Sequence, residues 1–358
     1  MGLSEAAVDS ETPPPGSAPD DADGQGADPA HATDQRAAPD GRQAAEPDQL
    51  RLGASPGAII ADDSFGEAGR KAMWPHVERL LRFERFLADP TKTDELKRYR
   101  VATRRLRAAL RLFESAYPQR QARWLRDSLG DVGRAAGAVR DLDVRLADLE
   151  GWAKERGEEA SADVAPLRGV WQAERARAAT ELLARLEARR YQRLRRELVD
   201  LVDGRVRLRP AGTRALRDSA ASRLWRSFET LREEGTMVRG ADLPALHAVR
   251  IGAKRLRYAL EFFGDVLLPS RTVLIEKLVA LQDHLGAIND AAVISAAVRA
   301  VLLDRRVAMT AGERATIARY AADRERDLVR LRRGVAGPWR PIASVTFARL
   351  LGRTVVIG

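Results

Sequence analysis

The sequence predicts an all-α protein built from two related helical bundles. Three observations carry that expectation. From about Ser64 onward the 358-residue chain runs in long stretches rich in Arg, Leu, Ala and Glu, good helix formers with few strand-type alternations. Ser64-Phe-Gly-Glu67 and Thr310-Ala-Gly-Glu313 read as capping boxes, the hydroxyl accepting from the N3 amide while the Glu reaches back. The chain also repeats itself. The segment from Lys97 to Phe113 aligns with that from His247 to Phe263 at an offset of 150. Downstream, Gly137-Ala-Val-Arg-Asp-Leu-Asp-Val144 has a counterpart in Gly286-Ala-Ile-Asn-Asp-Ala-Ala-Val293, at 149. Two blocks at nearly one offset indicate a duplicated unit of about four helices.

In chain order, residues 1–60 form an acidic tail rich in Pro, Gly and Ala. Residues 1–56 hold eleven acids against Arg36, Arg42 and Arg51, and eight of the 17 prolines, with no aromatic residue. Such a segment buries too little to offset its ordering entropy, so it is expected to be disordered, as a solvating tail or a decoy for the basic core. The first bundle spans 61–205, with breaks near Asp89-Pro90, Tyr117-Pro118, Gly130 to Gly137 and Gly157 to Pro166. After Gly204 to Gly212, the second spans 211–340, with breaks near Gly235 to Gly240, Pro269 and Gly286. Eight helices and no sheet are expected, packed through Leu/Ala faces with short connections. Residues 341–358 are a C-terminal extension without an assigned structure.

Composition narrows the chemistry. Lys plus Arg total 61 against 51 acids, but residues 1–56 carry −8, leaving +18 on the other 302 residues. A folded part with that excess repels itself unless an anion sits on it, which points to a polyanionic partner; with only six Lys among the 61 bases, composition alone points equally to a generally Arg-rich proteome. There is no Cys, hence no thiolate zinc site, disulfide or cysteine nucleophile. His31, His76, His247 and His284 fall at no metal-ligand spacing. The start lacks the pattern of a secretory signal, and no uninterrupted apolar run reaches the ~18 residues of a spanning helix, so a cytoplasmic protein without membrane insertion is expected. Glycine-rich phosphate loops, nucleophile elbows and nucleotide fingerprints are missing from the sequence. Arg140-Asp141-Leu-Asp143 is read as helix capping and salt bridging rather than as an acid/base pair. The six tryptophans, irregularly spaced, are read as core packing rather than as a base-stacking platform.

The sharpest signal is a cationic stripe. At 100° per residue, Lys97, Arg100, Arg104, Arg107 and Arg111 fall within one arc of about 80°. Ala102, Leu106, Ala109, Leu110 and Phe113 fall opposite, and no acid interrupts the run from 97 to 111. The second copy places His247, Arg250, Lys254 and Arg257 in one arc, with Arg255 and Tyr258 at its edge and Glu261 where the first copy has Arg111. A single Arg-rich helix reads as a solvated face; the same stripe twice in phase reads as a binding surface. Arg suits a repeating oxyanion chain because its planar fork grips phosphate oxygens and stays charged.

Those residues resemble a known family. Arg100-Val-Ala-Thr-Arg-Arg-Leu-Arg-Ala-Ala-Leu-Arg-Leu-Phe113, Val139-Arg-Asp-Leu-Asp-Val144, the segment Leu246 to Phe263 and Leu281-Gln-Asp-His-Leu-Gly-Ala-Ile-Asn-Asp-Ala-Ala-Val293 look like the CHAD domain (conserved histidine α-helical domain), over about residues 62–340. The resemblance implies two four-helix bundles in pseudo-two-fold relation around a central basic groove or pore. It also implies binding of inorganic polyphosphate and association with polyphosphate or related storage granules and their proteins. The family's first histidine falls on Lys97 here, while the second is retained as His247. Carried over by position, the anion contacts are Lys97, Arg100, Arg104, Arg105 and Arg107, then His247, Arg250, Lys254, Arg255 and Arg257; Arg111 is added from the stripe. The expectation is a non-enzymatic polyphosphate binder without cofactor. A nucleic-acid-binding helical scaffold and an accessory factor in phosphoanhydride metabolism are the alternatives.

Overall fold

A computed structural model describes residue 50 and residues 52–355. The disorder expected of residues 1–56 falls mainly outside these. Residues 52–60 lie against the helices: the Gly53 amide donates to Asp203 Oδ1 at 3.1 Å, the Ile59 amide to Asp265 Oδ2 at 3.0 Å, and Ile59 is buried.

The first repeat copy contains α1 (Phe65–Glu84), α2 (Thr93–Leu112), α3 (Gln119–Lys154), the short α4 (Glu158–Asp163), α5 (Ala165–Glu187) and α6 (Arg189–Val202). The second contains α7 (Ala220–Glu234), α8 (Leu243–Phe262), α9 (Arg271–Leu303) and α10 (Ala311–Gly334); α11 (Ala336–Ala343) crosses its expected end at 340, and α12 (Val345–Thr354) lies in the C-terminal extension. The fold is all-α: among the described residues the only bridging of β type is an isolated antiparallel pair, Ser64 with Ala215. Thr310 and Glu313 form a complete capping box. At Ser64 only half of one forms, because the Glu67 carboxylate turns away to Arg70.

Among the described residues, twelve α-helices replace the eight expected, and two expected breaks are absent. Gly130 to Gly137 lie inside α3, and Gly286 inside α9. Glycine within a helix costs about 1 kcal/mol relative to Ala, and packing supplies the reason for tolerating it. Gly130, Gly133 and Gly137 share one face of α3, turned toward α2. A Cβ there would stand 3.5 Å from Arg107 Cζ, 3.2 Å from Thr103 Cγ2 and 3.4 Å from Arg100 Nη2 respectively. The glycines bring α3 close beneath the cationic helix.

α2 and α8 are each 20 residues long with bounds 150 apart, and each is followed by a 3-10 turn, Glu114–Ala116 and Gly264–Val266, at the same offset. α2 packs on α1, α3 and α8, and α8 on α7 and α9, so the two copies meet along α2 and α8. The equivalent rings of Phe113 and Phe263 touch there edge-on, 5.8 Å apart. One large apolar core spans both copies, and a smaller one joins the far ends of α3 and α9 to α5 and α10. α9 is long and apolar, with a mean hydropathy of 1.5 over its best stretch. It is long and apolar enough by length and composition to cross a membrane; it packs on α8, α10, α11 and α12, and 44% of that stretch is buried. Residues after 340 are helical as far as Thr354, and Phe347 stacks on Phe228 of α7 at 5.3 Å. Trp152, Trp171 and Trp339 are buried, and the other three tryptophans are partly so.

Candidate anion-binding site

Part of each stripe lines one cavity of about 430 Å³ between α2, α7 and α8. Arg104, Arg107 and Arg111 line it from α2, and His247, Lys254 and Arg255 from α8. α7 contributes two more, Arg223 and Arg226. Seven Arg and Lys side chains and a histidine thus surround a space whose lining contains no acid. Ala108, Leu112, Ile251, Tyr258, Ala259 and Phe262 add apolar surface to the lining. Arg107 and Arg111 also border a second cavity of about 460 Å³ with Arg126, Asp127, Gly130 and Arg134 of α3. From Arg104 to Arg111 the helix rises about 10 Å, so cations continue along α2 from one cavity to the next.

The other stripe residues lie elsewhere. Lys97 is half-buried and outside both cavities. Arg100 pairs with Asp141 at 3.5 Å, and Asp143 pairs with Arg175 at 2.6 Å. That bears out salt bridging for the Asp141 and Asp143 pair; the capping role does not hold, since both sit in mid-helix. Arg105 and Arg257 converge on one carboxylate, Glu261, at 2.8 and 3.7 Å. Arg255 reaches Glu234 at 4.0 Å. Arg250 is only 2% exposed, and neither its Nε nor its Nη1 has a hydrogen-bond partner. Lys254, one turn further on, is 6% exposed yet lines the cavity.

Arg223 and Arg226 were missed because α7 mixes signs, with Glu229, Glu233 and Glu234 following them. The available signal was their i, i+3 spacing on the helix preceding the second stripe. Arg223 is fixed in place: its guanidinium lies 4.0 Å from the Phe65 ring centroid and donates to the Leu112 carbonyl and to Ser115 Oγ at 3.2 and 2.9 Å. Burial, then Arg226, lowers its pKa. Burial raises the pKa of Glu234, against the opposing pull of Arg255.

On the far side of α2, His76 is buried against Phe262, ring centroids 6.0 Å apart. Burial, followed by Arg105 and Arg79, holds its pKa well below the usual histidine value. The unfolded chain protonates this ring near pH 6.5, whereas the folded protein keeps it neutral. Its contribution to stability is therefore full above pH 6.5 and is lost as the pH falls toward the depressed folded value, by up to about 1.4 kcal/mol per pH unit. Urea denaturation at pH 7.5 and 5.5 should show this loss in the wild type. His76→Gln should shrink it; an unchanged pH difference would assign the effect to other groups.

No group of three or more His, Asp or Glu side chains among the described residues is arranged to hold a metal ion. A search of curated proteins found no match to the chain. Among solved structures, the CHAD domain from the plant Ricinus communis superposes with a TM-score of 0.62 at 25% identity, covering 80% of this chain and 97% of that one. PptA from Streptomyces chartreusis superposes with a TM-score of 0.65 at 18% identity, over 78% of this chain and 100% of its own. The CHAD domain family profile matches residues 71–299. With the profile covering well over half its length, this chain belongs to the CHAD domain family.

Proposed function

We propose that the protein binds linear inorganic polyphosphate, without chemical conversion, in the cavity between α2, α7 and α8. The observation that carries this reading is the acid-free lining of seven Arg and Lys side chains drawn from three helices. So many like charges around one space raise a positive potential that attracts an anion. Planar guanidinium forks suit phosphoryl oxygens, and the continuation past Arg107 and Arg111 into the second cavity suits an anion that repeats along a line.

In this reading the repeat copies are two four-helix bundles in pseudo-two-fold relation, with α2 and α8 innermost. The 150-residue offset of their bounds and the Phe113–Phe263 contact support it. Arg104, Arg107, Arg111, His247, Lys254 and Arg255 contact the polymer directly, joined by Arg223 and Arg226. Lys97, Arg100, Arg105, Arg250 and Arg257 lie behind or beside them and add to the field. Binding of this kind would carry the protein to polyphosphate stores, including granules.

Counterion release makes affinity for a polyanion fall with salt. With about five phosphate contacts, affinity for long polyphosphate should drop on the order of 10²–10³-fold between 50 and 200 mM salt. An affinity independent of salt would overturn the mechanism. So would displacement of polyphosphate by duplex DNA at equal phosphate concentration, because a duplex cannot enter a cavity of this size.

A further inference from the structure

Residues 59–65 run beside the cavity. The Ile59 amide donates to Asp265 Oδ2, three residues beyond the lining residue Phe262, and the Phe65 ring lies under the guanidinium of Arg223, 4.0 Å from its centroid. Between them the Leu216 and Arg217 amides, just ahead of α7, donate to the carbonyls of Asp63 and Ala61 at 2.8 and 3.3 Å. Further back along the chain, Lys71 Nζ donates to the Ala58 carbonyl at 3.0 Å, the Gly53 amide reaches Asp203, and Leu50 and Leu52 pack on the edge of the core. The step from Leu50 to Ile59 spans at most about 32 Å, so residues 1–49 join the fold within that distance of the cavity's neighbours.

Residues 1–49 carry eleven acids, from Glu5 to Asp48, against Arg36 and Arg42. Their only large apolar side chains are Met1, Leu3 and Val8, so they bring charge to a neighbouring surface and almost nothing to bury against it. Fully extended, a segment of this length reaches about 160 Å, several times the distance back to the cavity. Exposed arginines elsewhere have acids beside them: Arg326 pairs with Asp323, Arg330 with Asp327, Arg306 with Asp304 and Arg217 with Asp62. The cavity instead gathers seven Arg and Lys side chains around one concave space, where the fields of like charges add.

Resting on the site proposed above, we infer that residues 1–49 are a built-in competitor for it: their carboxylates occupy the cavity between α2, α7 and α8 and must leave before polyphosphate binds. Tethering makes a weak contact effective. A segment joined to the fold this close to its site is present at an effective concentration on the order of millimolar. Carboxylate–guanidinium contacts that are individually weak in water then hold it there in sum. Polyphosphate displaces the segment because every phosphoryl unit of the polymer is charged, whereas only eleven of the 49 residues are acids. The tail thereby raises the polyphosphate concentration at which the protein loads.

A full-length variant in which all eleven tail acids become their amides, Asp→Asn and Glu→Gln, tests this. At 50 mM salt it should bind long polyphosphate about tenfold more tightly than the wild type, which corresponds to about one cavity in ten being free of the tail. The gain should fall below about twofold at 500 mM salt, where screening acts over a few ångströms. Because the chain has no Cys, Ser227→Cys places a single thiol in the cavity lining, and Ser222→Cys places an exposed one on α7 outside it. Without polyphosphate, iodoacetamide should alkylate position 227 at least about threefold faster beside the amide tail than beside the wild-type tail, with position 222 unchanged. Equal polyphosphate affinities for the two tails, or equal acceleration at both thiols, would overturn the inference. Failure of both tails to bind polyphosphate would overturn the proposed function, and the rate difference at position 227 would still show whether the tail occupies the cavity.

Discussion

Arg104→Glu weakens polyphosphate binding about 10²-fold, and adding Arg226→Glu takes the loss beyond 10³-fold. Arg104 lines the cavity from α2 and Arg226 from α7. A charge-assisted hydrogen bond contributes about 1.5–3 kcal/mol, and reversal adds repulsion from the new carboxylate, so each change costs roughly a hundredfold in affinity. The slope of log affinity against log salt should also flatten by about one for each cation removed. Lys97→Glu supplies the contrast. It belongs to the same helical stripe but lies outside both cavities, so its effect should stay within about threefold. Fluorescence anisotropy with an end-labelled polyphosphate, and a melting curve for each variant, make the comparison. Equal losses at positions 97 and 104 would mean that the stripe acts through its overall field and that the cavity is not the site.

Much of this arrangement was legible in the sequence, and the illegible part has a common cause. A helical wheel fixes which residues share a face, and the buried side of α2, with Ala102, Leu106, Ala109 and Leu110, is the side it assigns. The repeat likewise anticipates two helices of equal length at a fixed offset. Neither device tells what a face meets. Arg105 and Arg257 look equivalent to Arg104 and Arg107 along the chain, but Glu261 engages both, Arg105 across the α2–α8 contact and Arg257 one turn earlier on α8 itself. Gly130, Gly133 and Gly137 read as a break because their local cost is visible in sequence, whereas the close approach of α2 that compensates it is not. Arg223 and Arg226 belong to a helix with no uniform sign, and only the tertiary placement of α7 turns two of its cations into a wall of the site. The asymmetry between Arg111 and Glu261 was visible as a substitution; its meaning came from the ion pair.

Phe113→Ala should destabilise the protein by about 3–5 kcal/mol, the range for truncating a buried phenylalanine. The Phe113 side chain is fully buried just past α2, 4.9 Å from Phe65 of α1 and 5.8 Å from Phe263 of the other repeat copy, and it closes the space over Gly69. Ala at this position leaves a cavity where the two copies join, and the surrounding helices, tied by their own cores, can close it only in part. At roughly 2 °C per kcal/mol for a chain of this size, the melting temperature should fall by about 6–10 °C. Phe86→Ala, at a half-buried position packed on the edge of the core with Arg85 4.8 Å from its ring centroid, should cost less, about 1–2 kcal/mol. A double-mutant cycle between Phe113 and Phe263 should return a coupling of about 0.5–1.5 kcal/mol, as expected for an edge-on aromatic pair. Strict additivity would mean that the rings stabilise their own copies independently. Coupling would mean that the copies hold each other, and that the angle between α2 and α8, on which the spacing of the cavity's arginines depends, is set by these two rings.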